Sequence, residues 1–360
     1  MQREMISTRQ FIYMIVLFLF GSSAVQGVSW GLGQDAWIAL LLALALGSIL
    51  ALMYARIIKL FPEMNLYDVA EVIFGKIIGK IIIGLMTWYA IHLSAIVIRL
   101  LSEFVKIVTM PETPQLPMMI LLFVAAGYIT FSGIATLGKW ALFALPLYLL
   151  ILLYILILST AEIKFSNILP IMEHSVITIG SASIKILTTT FGGTVLFLTL
   201  ADSIKKNDNP YKIYLYGFFI SAVTLVVIFL QSIMVLGVPM VEKSYFPSYT
   251  AARLINIGDF LSRIEMIIFY NFLLAGIAKI TICLLVAVKG IGKLFNSTKQ
   301  GLILFILCPF ILLISTLEFS SVMELLNFTD VFQYYILPFQ VIIPIMLWVG
   351  AEIKIGAKSR

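Results

Sequence analysis

Charge, histidine and cysteine are all scarce in this chain, and each scarcity excludes something. Only 12% of its 360 residues are Asp, Glu, Lys or Arg, against 61% hydrophobic residues and a mean hydropathy of +1.08. A soluble domain needs more charged surface than that, so the composition is that of a polytopic membrane protein in contact with lipid. The two histidines, His92 and His174, lie in different regions, and no His/Cys/Asp group has metal-ligand spacing, so neither a metal nor another cofactor is expected. No glycine-rich phosphate loop ending in Lys-Ser or Lys-Thr occurs, which leaves little basis for an enzyme. Cys283 and Cys308 both fall inside apolar segments, which argues against a disulfide and leaves the redox compartment undetermined. The formal charge of +6 invites a nucleic-acid reading. The basic residues sit in short loops between apolar segments, however, a pattern of membrane orientation rather than of a nucleic-acid partner.

What the chain does have is long hydrophobic runs. Segments of membrane-crossing length fall at about 10–29, 37–60, 80–104, 118–137, 140–160, 184–202, 214–240, 264–288, 301–317 and 331–350. No soluble insert or linker separates them, so residues 1–360 are expected to form a single transmembrane domain. Arg3 and Arg9 ahead of the first run, with Ser22-Ser23-Ala24 after it, resemble a signal peptide. The charge pattern of the loops requires that run as a span instead.

One set of loops carries Arg3, Arg9, Arg56, Lys59, Lys76, Lys80, Lys139, Lys205, Lys206, Lys212, Lys289, Lys293, Lys299, Lys354, Lys358 and Arg360. The alternate set carries Asp35, Glu112, Glu162, Glu173, Glu242, Asp259, Glu318, Glu324 and Asp330. The bias predicts both termini in the cytoplasm, in keeping with an even number of spans. Asn65 to Gly75 reads as a short amphipathic helix on the inner surface, with Leu66, Val69, Ala70 and Ile73 on one face. Two outer segments, 165–183 and 242–262, are long enough to hold short helices.

Within the first run, Phe20-Gly21-Ser22-Ser23-Ala24-Val25-Gln26-Gly27 weakens the helix where lipid favours an unbroken one. Phe191-Gly192-Gly193-Thr194 repeats the phrase in the sixth span. Small residues also serve close helix packing. Paired interruptions at corresponding places nonetheless predict broken helices 1 and 6 in a LeuT-like 5+5 inverted repeat, with repeats of about 10–160 and 184–350. In that arrangement the half-helix ends would meet a small zwitterion.

Taken in order, several motifs resemble the spore germination permease family, the B subunits of nutrient germinant receptors within the amino acid/polyamine/organocation superfamily. They are Gly21-Ser22-Ser23, Asp35-Ala36-Trp37, Arg99 with Ser102-Glu103-Phe104-Val105-Lys106, and Asn167-Ile168-Leu169-Pro170-Ile171. Phe191-Gly192-Gly193-Thr194 leading through Leu196-Phe197 to Lys205-Lys206, and Arg263-Ile264-Glu265, complete the likeness, which runs almost end to end. Relatives often carry Gly-x-Gly at the first break and Gly-x-Glu at the second. Here Gly21-Ser22-Ser23 and Gly192-Gly193-Thr194 depart from both, and the missing carboxylate puts a proton-relay or ammonium-pairing role there in doubt.

Charged residues at membrane depth are costly and therefore functional candidates. Arg99 and Glu103, one turn apart, are expected to pair along one face of span three. Arg263 and Glu265 open span eight and are expected to help fix the outer mouth. Lys279 lies near the centre of span eight, with Cys283 one turn further on the same face. A buried ammonium there has several open roles: replacing a coupling cation, pairing with a ligand carboxylate, satisfying carbonyls freed by the break in span one, or bonding to neighbouring helices without touching ligand. His92 is read as packing against another helix.

The resemblance implies a nutrient-sensing subunit of a spore germination receptor in the spore inner membrane, with larger A-type and lipid-anchored C-type subunits as partners. The expected pocket uses backbone N–H groups of Ser22 to Ala24 for an amino acid's carboxylate, and carbonyls near Phe191 to Gly193 for its ammonium. Tyr89, Leu93, Phe191, Thr194, Lys279 and Cys283 would line it. A sugar or nucleoside ligand stays open. So do an amino acid transporter, proton-coupled or cation-independent, and a scaffold subunit that binds no ligand.

Overall fold

The computed structural model describes residues 4–27, 31–255 and 265–358. Nine helical stretches are long and apolar enough to cross a membrane among them, and the shorter apolar helix Gln115–Phe131 brings the number to ten. In chain order they are α1 (Thr8–Gln26), α2 (Ala36–Leu60), α3 (Leu66–Val108), α4 (Gln115–Phe131) and α5 (Ile134–Leu158). The second five are α6 (opening as Val176–Ile186 in the stretch Val176–Ser203), α7 (Pro210–Leu236), α8 (Glu265–Leu294), α9 (Gln300–Glu318) and α10 (Val322–Gly356, opening as the regular helix Val322–Tyr335). The described residues form no sheet; a lone bridge pairs Ile6 with Ile204.

Local chemistry explains where the helices begin and bend. Ser7 caps α1, its hydroxyl accepting from the Gln10 N–H while the Gln10 side chain accepts from the Ser7 N–H at 2.8 Å. Asn65 caps α3 through the N–H groups of Tyr67 and Asp68. The amphipathic stretch predicted for 65–75 is present, but as the first turns of α3, set off by Gly75 at φ 78°. Only glycine takes that backbone without strain, so the chain changes direction there and continues as a helix.

The turn between α4 and α5 lies at Ser132-Gly133, where Gly133 has φ +91°. The expected boundary beside Lys139 is therefore one to two turns too late. Lys139 is an exposed residue of α5, and the left-handed glycine stops α4 first. The Glu4 carboxylate caps the new helix by accepting from the Ala135 N–H at 2.9 Å.

The two interruptions resolve differently. α1 runs as an unbroken α-helix through Gly21, Ser22, Ser23 and Ala24 and stops only at Gly27. Its small residues serve packing: a Cβ on Gly21 would lie 2.7 Å from Lys279 Cβ and 2.8 Å from the Ala275 carbonyl of α8. In the sixth span the α-helix gives way to a π-helical turn, Leu187–Phe191, and then to a 3-10 helix, Gly192–Ser203. That break is a change of winding. α10 makes a similar excursion at Pro338–Ile342 before continuing as Ile343–Lys358. Pro338 supplies no N–H to a regular ladder there.

α1 packs against α5, α7 and α8, and α3 lies along α8. On the acidic face, buried Asp35 accepts from the N–H groups of Met172 (2.7 Å) and His174 (3.0 Å) and from His174 Nδ1 (3.1 Å), tying the segment before α6 to the start of α2. That segment holds two 3-10 turns, Ser159–Ala161 and Phe165–Ile168, and the segment after α7 holds two short helices, Val238–Lys243 and Pro247–Arg253. Ser248 donates to the Ala24 carbonyl at 3.2 Å, closing the end of α1.

Candidate functional site

A cavity of about 40 Å³ opens where α1, α3, α6, α8 and α10 meet. Ser22 and Gln26 reach it from α1, Thr189 from the π turn after α6, and Lys279 from α8. Leu93, Ile96, Val97 and Leu100 form the α3 wall, and Leu325, Phe328, Thr329 and Phe332 form the α10 wall. The helical period explains the α3 stripe, since Leu93, Val97 and Leu100 recur every three to four residues along one face.

Lys279 is 2% exposed, and its Nζ donates to Ser22 Oγ at 2.6 Å. The same Nζ sits 4.7 Å from the centre of the Phe18 ring, which attracts the cation through its electron-rich face. Among the described residues no carboxylate forms an ion pair with Lys279. Beside the cavity, Lys185 on α6 pairs with Asp330 on α10, next to the wall residues Thr189 and Thr329.

Of the residues singled out from sequence, Ser22, Leu93 and Lys279 come together at this cavity. Gly21 lies behind it against α8. Ser23 turns the other way and donates to Thr190 Oγ1 at 2.9 Å. With α1 intact, the N–H groups of Ser22 to Ala24 belong to the helix and are not free for a carboxylate. Phe191 faces Phe218 of α7, ring centres 5.2 Å apart, rather than the cavity. Thr194 is buried and donates to the Phe191 carbonyl at 2.7 Å, taking up one of the carbonyls expected to meet an ammonium. Cys283 is buried, forms no disulfide, and does not line this cavity.

Tyr89, Gly192 and Gly193 belong to a neighbouring polar knot that the sequence reading missed. Its centre is Gln340, 1% exposed, in the π turn of α10. Gln340 Nε2 donates to Tyr89 Oη and to the Thr188 carbonyl, both at 2.9 Å, and its own carbonyl accepts from Tyr54 Oη at 2.6 Å. A Cβ on Gly192 would collide with Gln340 Oε1, and one on Gly193 would come 3.1 Å from Phe18. The signal was available: a lone amide two residues after a proline inside a hydrophobic run is costly unless it bonds to something.

Arg99 and Glu103 are both 6% exposed and form an ion pair at 2.8 Å, with Arg99 Nη1 also 3.5 Å from the Ser315 carbonyl of α9. His92 does more than pack. Its Nε2 lies 2.5 Å from Glu318 Oε1 of α9 and its Nδ1 3.2 Å from Tyr335 Oη of α10. Arg263 lies outside the described residues, and Glu265 forms the first residue of α8.

A second cavity, about 340 Å³, opens near the Lys/Arg-rich face between α5, α8 and the end of the 3-10 stretch, with Glu4, Asp202, Lys289 and Gln300 in its wall. Phe18, which touches Lys279, meets Phe197 at 5.5 Å, and Phe197 meets Phe11 at 5.4 Å. Leu200, one 3-10 turn past Phe197, already lines the second cavity.

Known proteins resemble this arrangement in sequence and in shape. Spore germination protein KB of Bacillus subtilis (strain 168) is 26% identical over 359 residues, covering 98% of this chain and 96% of that protein. Spore germination protein XB of Bacillus anthracis is 20% identical over 330 residues, 89% of this chain and 91% of its own. Among solved structures, the nucleobase-cation-symport-1 transporter Mhp1, closed with bromovinylhydantoin bound, superposes with a TM-score of 0.67 at 15% identity, over 95% of this chain and 78% of its own. MhsT in complex with L-phenylalanine gives 0.66 at 15% identity, over 95% and 88%. These likenesses show the LeuT fold of five helices followed by five. The profile of the spore germination protein family matches residues 5–324, and the chain belongs to that family.

Proposed function

We propose that this chain is the nutrient-sensing subunit of a spore germination receptor, holding one small nutrient, an amino acid for preference, in the cavity between α1, α3, α6, α8 and α10. The observation that carries it is a small, mostly apolar space with a few convergent polar groups, set at the junction of those helices in a germination-family chain. The proposed setting is the spore inner membrane, with both termini in the cytoplasm and A-type and C-type subunits as partners. Ligand would favour one arrangement of the two halves, about 10–160 and 184–350, and the partners would read that shift. No catalysis is proposed.

A thermal-shift screen of the purified protein in detergent, against amino acids, sugars and nucleosides, tests this. One class should raise the melting temperature saturably, because a ligand that binds only the folded state stabilises it. Leu93→Trp, which fills the cavity, should abolish the shift while the unliganded variant still melts cooperatively. A shift that survives Leu93→Trp places the site elsewhere.

The second cavity, lined by Leu200 of the same 3-10 stretch as Phe197, favours one other reading: a secondary transporter with a path from one space to the other. Ligand-dependent uptake into proteoliposomes by this chain alone would establish transport. Saturable binding without uptake leaves the sensor.

A further inference from the structure

Resting on the sensing role and its cavity, we infer that the group this site reads is a carboxylate, and that an amine on the same ligand is dispensable. Among the described residues, the wall holds one charged side chain, Lys279, and no acid. Its ammonium has three N–H donors. One goes to Ser22 Oγ at 2.6 Å and the cation faces Phe18 at 4.7 Å, while no described carboxylate pairs with it. An uncompensated buried charge at membrane depth is costly, and an anion delivered by a ligand removes that cost with charge-assisted hydrogen bonds.

The rest of the wall fits the same ligand. Gln26, Thr189 and Thr329 are neutral, and Leu93 and Phe328 offer apolar contact to a short carbon chain. A cavity of about 40 Å³ seats roughly three water-sized groups, the bulk of a carboxylate head, on a scale of ~10–15 Å³ for each. An ammonium would find hydroxyl and amide oxygens but no counter-charge, so it contributes little to recognition. The class that fits is the small organic monocarboxylate, amino acids included. Neutral sugars, nucleosides and free amines lack the group that Lys279 needs.

The test is a matched series on the purified wild-type chain in chloride-free sulfate buffer: propionate, L-alanine, ethylamine, L-alaninamide, D-glucose and sodium chloride, each titrated while melting is followed. Propionate and L-alanine should both raise the melting temperature saturably, with midpoints within about tenfold of each other. Ethylamine, L-alaninamide and glucose should leave it unchanged. Lys279→Gln should weaken both acids by at least tenfold. The wild-type series decides the matter even if the lysine variant fails to fold. Binding of L-alanine and ethylamine without propionate would overturn the inference, because the amine would then be the group recognised. Chloride stabilising as strongly as propionate would make this a simple anion site and overturn it too. A glucose shift that Leu93→Trp removes would leave the sensing role intact and sink the carboxylate. If neither acid shifts the melting temperature, the carboxylate assignment falls, and the sugars and nucleosides of the wider screen then decide the sensing role.

Discussion

Gln340 shows how one amide can organise a membrane interior. Its NH₂ group holds Tyr89 of α3 and the Thr188 carbonyl of the π turn, and its backbone carbonyl holds Tyr54 of α2. Leucine in its place would leave a buried phenol and a buried carbonyl without those partners, at roughly 1–3 kcal/mol for each such group. Gln340→Leu should therefore lower the melting temperature by several degrees with helical content unchanged, as read by circular dichroism. An unaltered melting curve would show that the knot contributes nothing to stability. Gly21 is governed by distance instead: its Cα lies so near the Ala275 carbonyl and Lys279 that any Cβ forces the α1–α8 crossing apart. Both residues were visible in the sequence as oddities within hydrophobic runs. The role of the glycine was not legible there, because a helix break and a close helix crossing use the same small residues. The neighbour across the gap decides which it is.

At the scale of elements, the first turns of α3 are bolted to the ends of other helices. Lys293 of α8 reaches Asp68 at 2.7 Å and Glu71 at 3.0 Å. Lys289 holds Asp202 at 2.8 Å, and Asn65 reaches the same Asp202 at 3.3 Å. Gly75 then joins this clamped segment to the membrane-crossing part of α3. These pairs are partly exposed, so salt screens them, and their net contribution to global stability is small. Their effect is local. The double variant Asp68→Asn, Glu71→Gln should speed amide hydrogen exchange over residues 66–74 and leave 82–104 protected, and high salt should reproduce this in the wild type. Equal exchange in wild type and variant would mean that apolar contacts alone, such as those of buried Leu66 and Val69, hold the segment. The amphipathic pattern of this stretch was legible from its 3.6-residue period. Its clamp was not, since Asp202 and Lys289 stand far from it in sequence.

For the whole molecule, the Lys185–Asp330 pair lies beside the small cavity, and Phe18, which faces Lys279 there, packs on Phe197, which in turn packs on Phe11. An ion pair beside the cavity predicts an accessibility pattern. In a background lacking Cys283 and Cys308, a cysteine at Thr329 should label slowly with a charged thiol reagent, and Asp330→Asn should speed labelling several-fold by releasing the pair. No change on Asp330→Asn would show that the ion pair does not guard the cavity. Hydrophobicity and loop charge by themselves determined that this is an all-helical membrane protein of ten spans, because lipid requires every backbone group to be satisfied within a helix of set length. Even so, the turn at Gly133 and the length of α10 escaped a hydropathy reading, since neither depends on apolar content. Tertiary structure alone decided which polar residues meet. It made α1 continuous, turned Phe191 and Thr194 away from the cavity, joined His92 to Glu318, and left Lys279 facing Ser22 with no carboxylate paired to it among the described residues. The pairings of His92 with Glu318 and of Lys279 with Ser22 join helices more than two hundred residues apart in the chain, whose crossing is set by close packing of small residues and by hydrogen bonds between side chains.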